Sequence, residues 1–331
     1  MTFSARVFSK VKRVANEHLG NSFAGGIIAK QVKGNYMLMY HGVTADGNVQ
    51  FNRRHASVAC FKKQLVFLKK YCAVISVDDF FNEKFVIGKP NFALTFDDGY
   101  LNNFVHARPL LEEYKCPATF FITGLNEVND SILWADYVNI ASALTSDDIE
   151  VDGEFFKKMG ATYVSQTSGK SVYEVVKHQK AGYDYKLKVK AALGKHVSFE
   201  NVPAIKEYWQ LMTDEQIKQS SRSKYIQIGS HGYYHNNLGN ISPPEAESEL
   251  HASKKYLENL VQYDIKQLAY PDGSYTTSLV SAAGKMGFDV QLAADHYLFN
   301  EKHANRLIKK RYGIYTVDSC LNQLLTAVKT P

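Results

Sequence analysis

From residue 36 onward, short and almost wholly apolar runs alternate with longer stretches in which apolar side chains recur every three or four positions. Met37–Tyr40, Ala73–Val77, Phe92–Phe96 and Ala118–Ile122 read as strands, apolar throughout because both faces are covered. Between them, Ser57 is placed to cap a helix whose Phe61, Leu65 and Leu68 form one stripe, with Lys62, Lys63, Lys69 and Lys70 off it. A second helix is predicted from about Asn102 to Glu113. This is the rhythm of βα repeats around a parallel sheet.

From about Glu127 to Gln210 the rhythm breaks into a more polar stretch with scattered Gly and Ser and weak helical segments such as Ser171–Lys180. It reads as an insertion on a loop, where specificity commonly resides; Trp134 and Trp209 bracket it and are expected to pack it against the rest. The repeat resumes at Thr213, which with Gln216 forms a capping box ahead of a strand at Tyr225–Gly229. Ser242, Pro243 and Glu245 then open a helix running to about Leu260. A strand at Gln267–Tyr270, a helix from Ser278 stopped by Gly287, strands at Phe288–Leu292 and Arg311–Tyr315 and a helix starting near Asp318 complete the chain. The expected division is a helical extension over 1–35, a main unit over 36–127 and 211–331, and the insertion over 128–210.

Composition adds limits. Hydrophobic residues make up 45% and charged residues 22%, an ordinary globular balance. The 39 Lys and Arg exceed the 33 Asp and Glu only mildly and are scattered, so no nucleic-acid partner is expected. Cys60, Cys72, Cys116 and Cys320 share no metal-site spacing and read as reduced. Arg6, Lys10, Lys12 and Arg13 alternate with Val7, Phe8, Val11 and Val14, with no following apolar core of a signal peptide and no run near the roughly 20 residues that span a bilayer. The expectation is a cytoplasmic protein; its basic, amphipathic residues 1–20 also suit peripheral contact with the inner membrane face.

Two clusters carry chemistry. In Leu94-Thr95-Phe96-Asp97-Asp98-Gly99-Tyr100, adjacent carboxylates end an apolar strand. Neighbouring carboxylates raise each other's pKa unless a cation separates their roles, which suggests one metal ligand and one general base; the plainer reading is a turn. In Ile228-Gly229-Ser230-His231-Gly232-Tyr233-Tyr234-His235, two histidines four residues apart follow another strand. Imidazoles with one carboxylate leave a position on Zn²⁺ open to water and substrate.

Taken together, Thr-Phe-Asp-Asp-Gly (95–99), Ser-His-x-x-x-His (230–235), Tyr40-His41-Gly42-Val43 and Ala269-Tyr270-Pro271-Asp272-Gly273-Ser274-Tyr275 resemble the polysaccharide deacetylase family, carbohydrate esterase family four, and within it the exopolysaccharide deacetylase branch. The resemblance runs in order over about 36–127 and 211–316. It implies a distorted (β/α)7-type barrel, with the insertion between the fourth strand and the His-x-x-x-His strand. The implied activity is hydrolysis of an N-acetyl or O-acetyl group on a saccharide. By the same resemblance Asp98, His231 and His235 hold a divalent metal, most simply Zn²⁺, with Co²⁺, Ni²⁺ or Fe²⁺ also suited. Asp97 is then the base, and the turn after Pro271, through Asp272 or a near neighbour, supplies an oxyanion donor, with Tyr275 close by as a sugar contact.

The chain departs from the pattern in two places. Many relatives carry an Arg two residues before the conserved Pro to orient the base; here that residue is Ala269, and Arg311 is the candidate replacement. The late Leu-x-His that supplies a general acid is missing, and His41 is the candidate donor, ahead of His296 and His303. Two other readings stay open: a sugar-binding protein without turnover, and a hydrolase of a non-polysaccharide amide or formamide.

Overall fold

The computed structural model describes residues 32, 34–179, 182–294, 308–314 and 320–327. The N-terminal extension up to residue 31, His296, His303, Tyr315 and the region about Asp318 lie outside them.

The sheet consists of parallel strands β1 (Asn35–Tyr40), β2 (Ala73–Ile75), β3 (Asn91–Phe96), β4 (Ala118–Ile122), β5 (Ile226–Ser230), β6 (Gln267–Ala269), β7 (Val290–Ala294) and β8 (Ile308–Gly313). Around the barrel the order is β1-β3-β4-β5-β6-β7-β8, and β8 pairs back onto β1. Seven strands close the ring. β2 is the eighth and shares an edge of β3 with β4: Ala73–Ile75 pair with Asn91–Ala93, and Ala118–Phe120 with Leu94–Phe96.

Alternation along the strands divides the core. Met37, Ala93, Phe121, Ala269 and Leu292 pack together inside the ring, and Val77 and Phe80 join that group. Leu38, Tyr40, Phe92, Leu94, Phe96, Phe120 and Ile122 pack with the surrounding helices. Both faces of β1, β3 and β4 are therefore dry, the condition that makes these strands almost wholly apolar.

Local signals act as the sequence suggests. Ser57 accepts from the Cys60 N–H at the start of helix Val58–Tyr71. Thr213 with Gln216 and Ser242 with Glu245 form capping boxes on helices Asp214–Ser221 and Pro243–Val261. Two details differ. The helix expected from Asn102 opens as a π-turn over Asn103–Ala107 before turning α at Arg108–Glu113. The helix expected from Ser278 spans Thr277–Lys285 and is capped by Thr276. Strand β8 starts at Ile308, so Arg311 sits within it rather than opening it.

Residues between β4 and β5 build a second core. Helices Trp134–Leu144 and Tyr183–Gly194 enclose an antiparallel sheet of Ile149–Val151, Glu154–Met159 and Thr162–Ser165. Ile140, Phe156, Tyr163, Val189, Phe199 and Trp209 meet at its centre. Trp134 belongs to this core and tilts against Tyr173 at 5.4 Å. Among the described residues no helix is long and apolar enough to cross a membrane, and none of Cys60, Cys72, Cys116 and Cys320 is in a disulfide.

Gly229 shows how tightly β5 fits the ring. A Cβ there would lie 2.5 Å from the Phe121 ring and 3.1 Å from the Gln267 carbonyl oxygen. Gly229→Val is expected to cost about 1–3 kcal/mol, read as a lower urea midpoint. An unchanged midpoint would mean that the ring gives way freely at β5.

Candidate active site

In a parallel barrel the strand ends point loops to one mouth. His41 follows β1, Asp97 and Asp98 follow β3, His231 follows β5, and Tyr270, Asp272 and Gly273 follow β6. With Arg311 from within β8, these residues line a cavity of about 350 Å³. Pro271 and Tyr275 are not in its lining; the Tyr275 ring packs on Tyr270 at 5.3 Å instead.

Asp97 is buried and bound by two parallel hydrogen bonds from Arg311, Nη1 to Oδ1 at 2.6 Å and Nη2 to Oδ2 at 2.7 Å. Nη1 also donates to Thr95 Oγ1, and the guanidinium lies 5.4 Å over the Phe121 ring. Planar, bidentate pairing fixes carboxylate orientation as a point charge cannot. Burial pushes the Asp97 pKa up, but Arg311 and His231 outweigh it and hold the group below its ordinary value.

Asp98, His231 and His235 place one ligand atom each within 4.8 Å of one another, the one such cluster among the described residues. His231 Nε2 lies 3.3 Å and His235 Nε2 3.2 Å from Asp98 Oδ1. Neither Asp98 oxygen, though buried, has a hydrogen-bond partner of good geometry. The Ala269 carbonyl, which can only accept, lies 2.8 Å from His231 Nδ1, so that nitrogen carries the hydrogen. In a neutral ring Nε2 then turns its lone pair toward the Asp98 carboxylate. Such a meeting is stable only with a cation between the atoms, a proton or a metal. Burial disfavours the charged ring of His231, yet Asp97 and Asp98 raise its pKa above the ordinary value. The donor set, its burial and its inward aim fit a divalent metal with two imidazoles and one carboxylate.

Backbone geometry aims these groups. Asp98, His235 and Asp272 have φ of +74°, +53° and +52°, in the left-handed region that non-glycine residues seldom occupy. Gly99, at +78°, extends the turn after Asp98 without a side-chain clash. Such strain persists only where surrounding structure holds it. His41 is anchored by its carbonyl, which accepts from Asn103 Nδ2 at 2.7 Å, while its Nδ1 has no partner. Burial, with Arg54 adding to it, lowers the His41 pKa to about 4.

Several site residues escaped sequence reasoning. Leu133, Trp134, Ala135, Asn139, Tyr173 and Lys177 form a wall of the cavity, all from the segment after β4. Arg54 points Nη1 to within 3.5 Å of Asp98 Oδ2 and Nη2 to 3.1 Å from Asp136 Oδ1. Asp136 also accepts from Asn52 Nδ2 at 2.8 Å and Tyr100 Oη at 2.5 Å; burial raises its pKa to about 6. Lys177 pairs with Asp272. A carboxylate and a lysine riding on otherwise buried helix stripes were the available signals.

The family model described as polysaccharide deacetylase matches residues 87–155 and 186–291, a little over half of the chain. The match includes Asp136 and omits 156–185, so only part of the segment between β4 and β5 is foreign to the family pattern. YxkH of Bacillus subtilis (strain 168), which bears the same family description, is 30% identical over 84 residues, covering 25% of this chain and 30% of that protein. The chain therefore matches less than a third of that relative's length. Among solved structures, the Streptococcus pyogenes deacetylase PplD in complex with acetate superposes with a TM-score of 0.55 at 17% identity, over 88% of this chain and 97% of that one. The de-N-acetylase from Aggregatibacter actinomycetemcomitans gives 0.54 at 15% identity, over 88% and 99%. At such identity these are likenesses of fold.

The Asp97–Arg311 pair predicts a pH signature. Arg311→Met strands a buried carboxylate and is expected to cost about 3–5 kcal/mol at pH 7. In the wild type Asp97 titrates below its ordinary 3.8, so its contribution is constant between pH 7 and pH 5. In the variant the stranded group titrates above 3.8, so protonation relieves it as pH falls. The deficit should thus be smaller at pH 5 than at pH 7 in urea unfolding with chelator present; equal deficits would show that Asp97 stays charged without its partner.

Proposed function

The chain belongs to the polysaccharide deacetylase family, and from that premise we propose that it hydrolyses the N-acetyl group of a saccharide, with Asp98, His231 and His235 holding a divalent metal. An O-acetyl ester is the alternative bond. The observation that carries the reading is the pairing of two sites at one barrel mouth. A three-ligand cluster stands beside a carboxylate that Arg311 holds by both oxygens.

A divalent cation there, Zn²⁺ being the simplest choice, supplies a Lewis acid for the acyl oxygen and acidifies water near neutral pH. Asp97, ionised and fixed in orientation, accepts the proton of the attacking water. Arg311 is its positioning residue and takes over the part that relatives give to an arginine at the Ala269 position. Charge developing on the acyl oxygen calls for a backbone donor. The Gly273 and Ser274 N–H groups are spent on Tyr270 and Pro271 carbonyls within the turn, which favours the N–H of Asp272. His41 is the proposed proton donor to the leaving amine. With a pKa near 4 it rests neutral, so the proton that Asp97 takes from water must pass on to His41 before the bond to the leaving nitrogen breaks. Trp134 and Tyr173 offer aromatic faces to a sugar ring across the cavity.

The test combines metal analysis with acetate release from small N-acetylglucosamine oligomers. About one equivalent of metal is expected in the wild type, with metal and activity lost together in Asp98→Ala and His231→Ala. Asp97→Asn should keep its metal while kcat falls about 10²–10⁴-fold. Metal without acetate release would shift the reading to another acyl group, such as formyl, or another sugar. A folded protein that takes no metal and gains no activity with added Zn²⁺ would favour sugar binding without turnover.

A further inference from the structure

Lys186 is a buried ammonium that no step above uses. It stands on helix Tyr183–Gly194, between β4 and β5, and is 3% exposed. Its Nζ donates to the His235 carbonyl at 2.7 Å, to Asn236 Oδ1 at 2.7 Å and to the Tyr234 carbonyl at 3.4 Å. Glu249, on helix Pro243–Val261 and equally buried, grips the opposite polarity of the same segment. Its Oε1 accepts from the N–H groups of Tyr233 at 3.1 Å, Tyr234 at 3.0 Å and Asn236 at 3.4 Å, and its Oε2 from Asn236 Nδ2 at 3.0 Å.

The loop 233–236 is thus clamped between two opposite charges, an ammonium collecting carbonyls and a carboxylate collecting N–H groups. Held in that clamp is His235, at a φ of +53°. Burying an ammonium and a carboxylate is costly, and apolar residues of similar size would join the two helices at less expense. What charges provide here is direction: each fixes which way the peptide planes face, and so where the His235 ring points. Groups behind a metal ligand tune affinity in this way, typically by 10–100-fold.

We propose that Lys186 is a positioning residue of the metal centre, acting through the His235 backbone, and that the segment between β4 and β5 is therefore part of the machinery that builds the metal site. This rests on the reading of His235 as a metal ligand. Lys190 provides the control: one turn along the same helix, it bonds Asp130 and the Ile132 carbonyl and no site residue.

The experiment titrates Zn²⁺ into metal-free protein against a chromophoric chelator, with thermal melting alongside, for wild type, Lys186→Met and Lys190→Met. Lys186→Met is expected to bind Zn²⁺ at least about tenfold more weakly while still folded, whereas Lys190→Met melts lower but binds as the wild type does. Should Lys186→Met fail to fold, Lys186→Gln, neutral but still a donor, is read in the same way. Unchanged affinity on replacing Lys186, or equal weakening in both lysine variants, overturns the proposal and leaves the metal site standing. A wild type that binds no Zn²⁺ removes the ligand reading and the proposal with it.

Discussion

Two adjacent carboxylates, Asp97 and Asp98, are buried at the mouth of the barrel, and what surrounds them makes that burial tolerable. Two unscreened negative charges at neighbouring positions in a dry site would drive one another to protonate. Here each has its own cation source. Asp97 faces Arg311 inside the ring, and Asp98 faces His231 and His235, with Arg54 on its other side. The proposed division of labour between the two groups, base and ligand, follows from which cations each one meets.

The same constraint explains why the segment between β4 and β5 cannot be peripheral. It supplies Asp136 to Arg54, Lys177 to Asp272 and Lys186 to the His235 carbonyl, so charged side chains from one subdomain brace three site loops. It also walls the cavity with Trp134 and Tyr173. Its own apolar core around Phe156 and Trp209 gives those side chains a rigid base, and strained residues at the mouth need one.

Legibility in the sequence followed physical range. The strands were readable because a barrel wall dry on both sides demands unbroken apolar runs, and the caps because their partners lie three residues away. Asp97, Asp98, His231 and His235 stood out because strand ends bring chemistry to one mouth. Arg54, Lys186 and Glu249 did not, since each acts across contacts set by tertiary packing. Glu249 shares the stripe of Ala246, Leu250, Ser253 and Leu257, and Lys186 that of Val189 and Leu193. A charge in step with buried neighbours is a visible anomaly, but the sequence does not say what it meets. The π-turn at Asn103–Ala107 was equally hidden, its register set by Asn102 and Asn103 reaching back to the loop after β1.

The arginine proposed to orient the base shows how a barrel could move a function between strands. Inward positions on neighbouring strands converge on the same lumen, so a guanidinium from β8 can reach Asp97 as one from the end of β6 does in the resembling family. The exchange has a steric condition. Arg311 is 1% exposed and lies over Phe121, and Ala269 is packed with Phe121 in the interior group. Two arginines would compete for one space and one carboxylate, leaving a buried cation unpaired. A small residue at 269 and a long cation at 311 are therefore linked choices, and the Ala269 carbonyl keeps its separate task of fixing the His231 tautomer. On the proposed function, what looks like a lost catalytic residue when the motif is read alone is, in the folded chain, a guanidinium delivered to Asp97 from another strand.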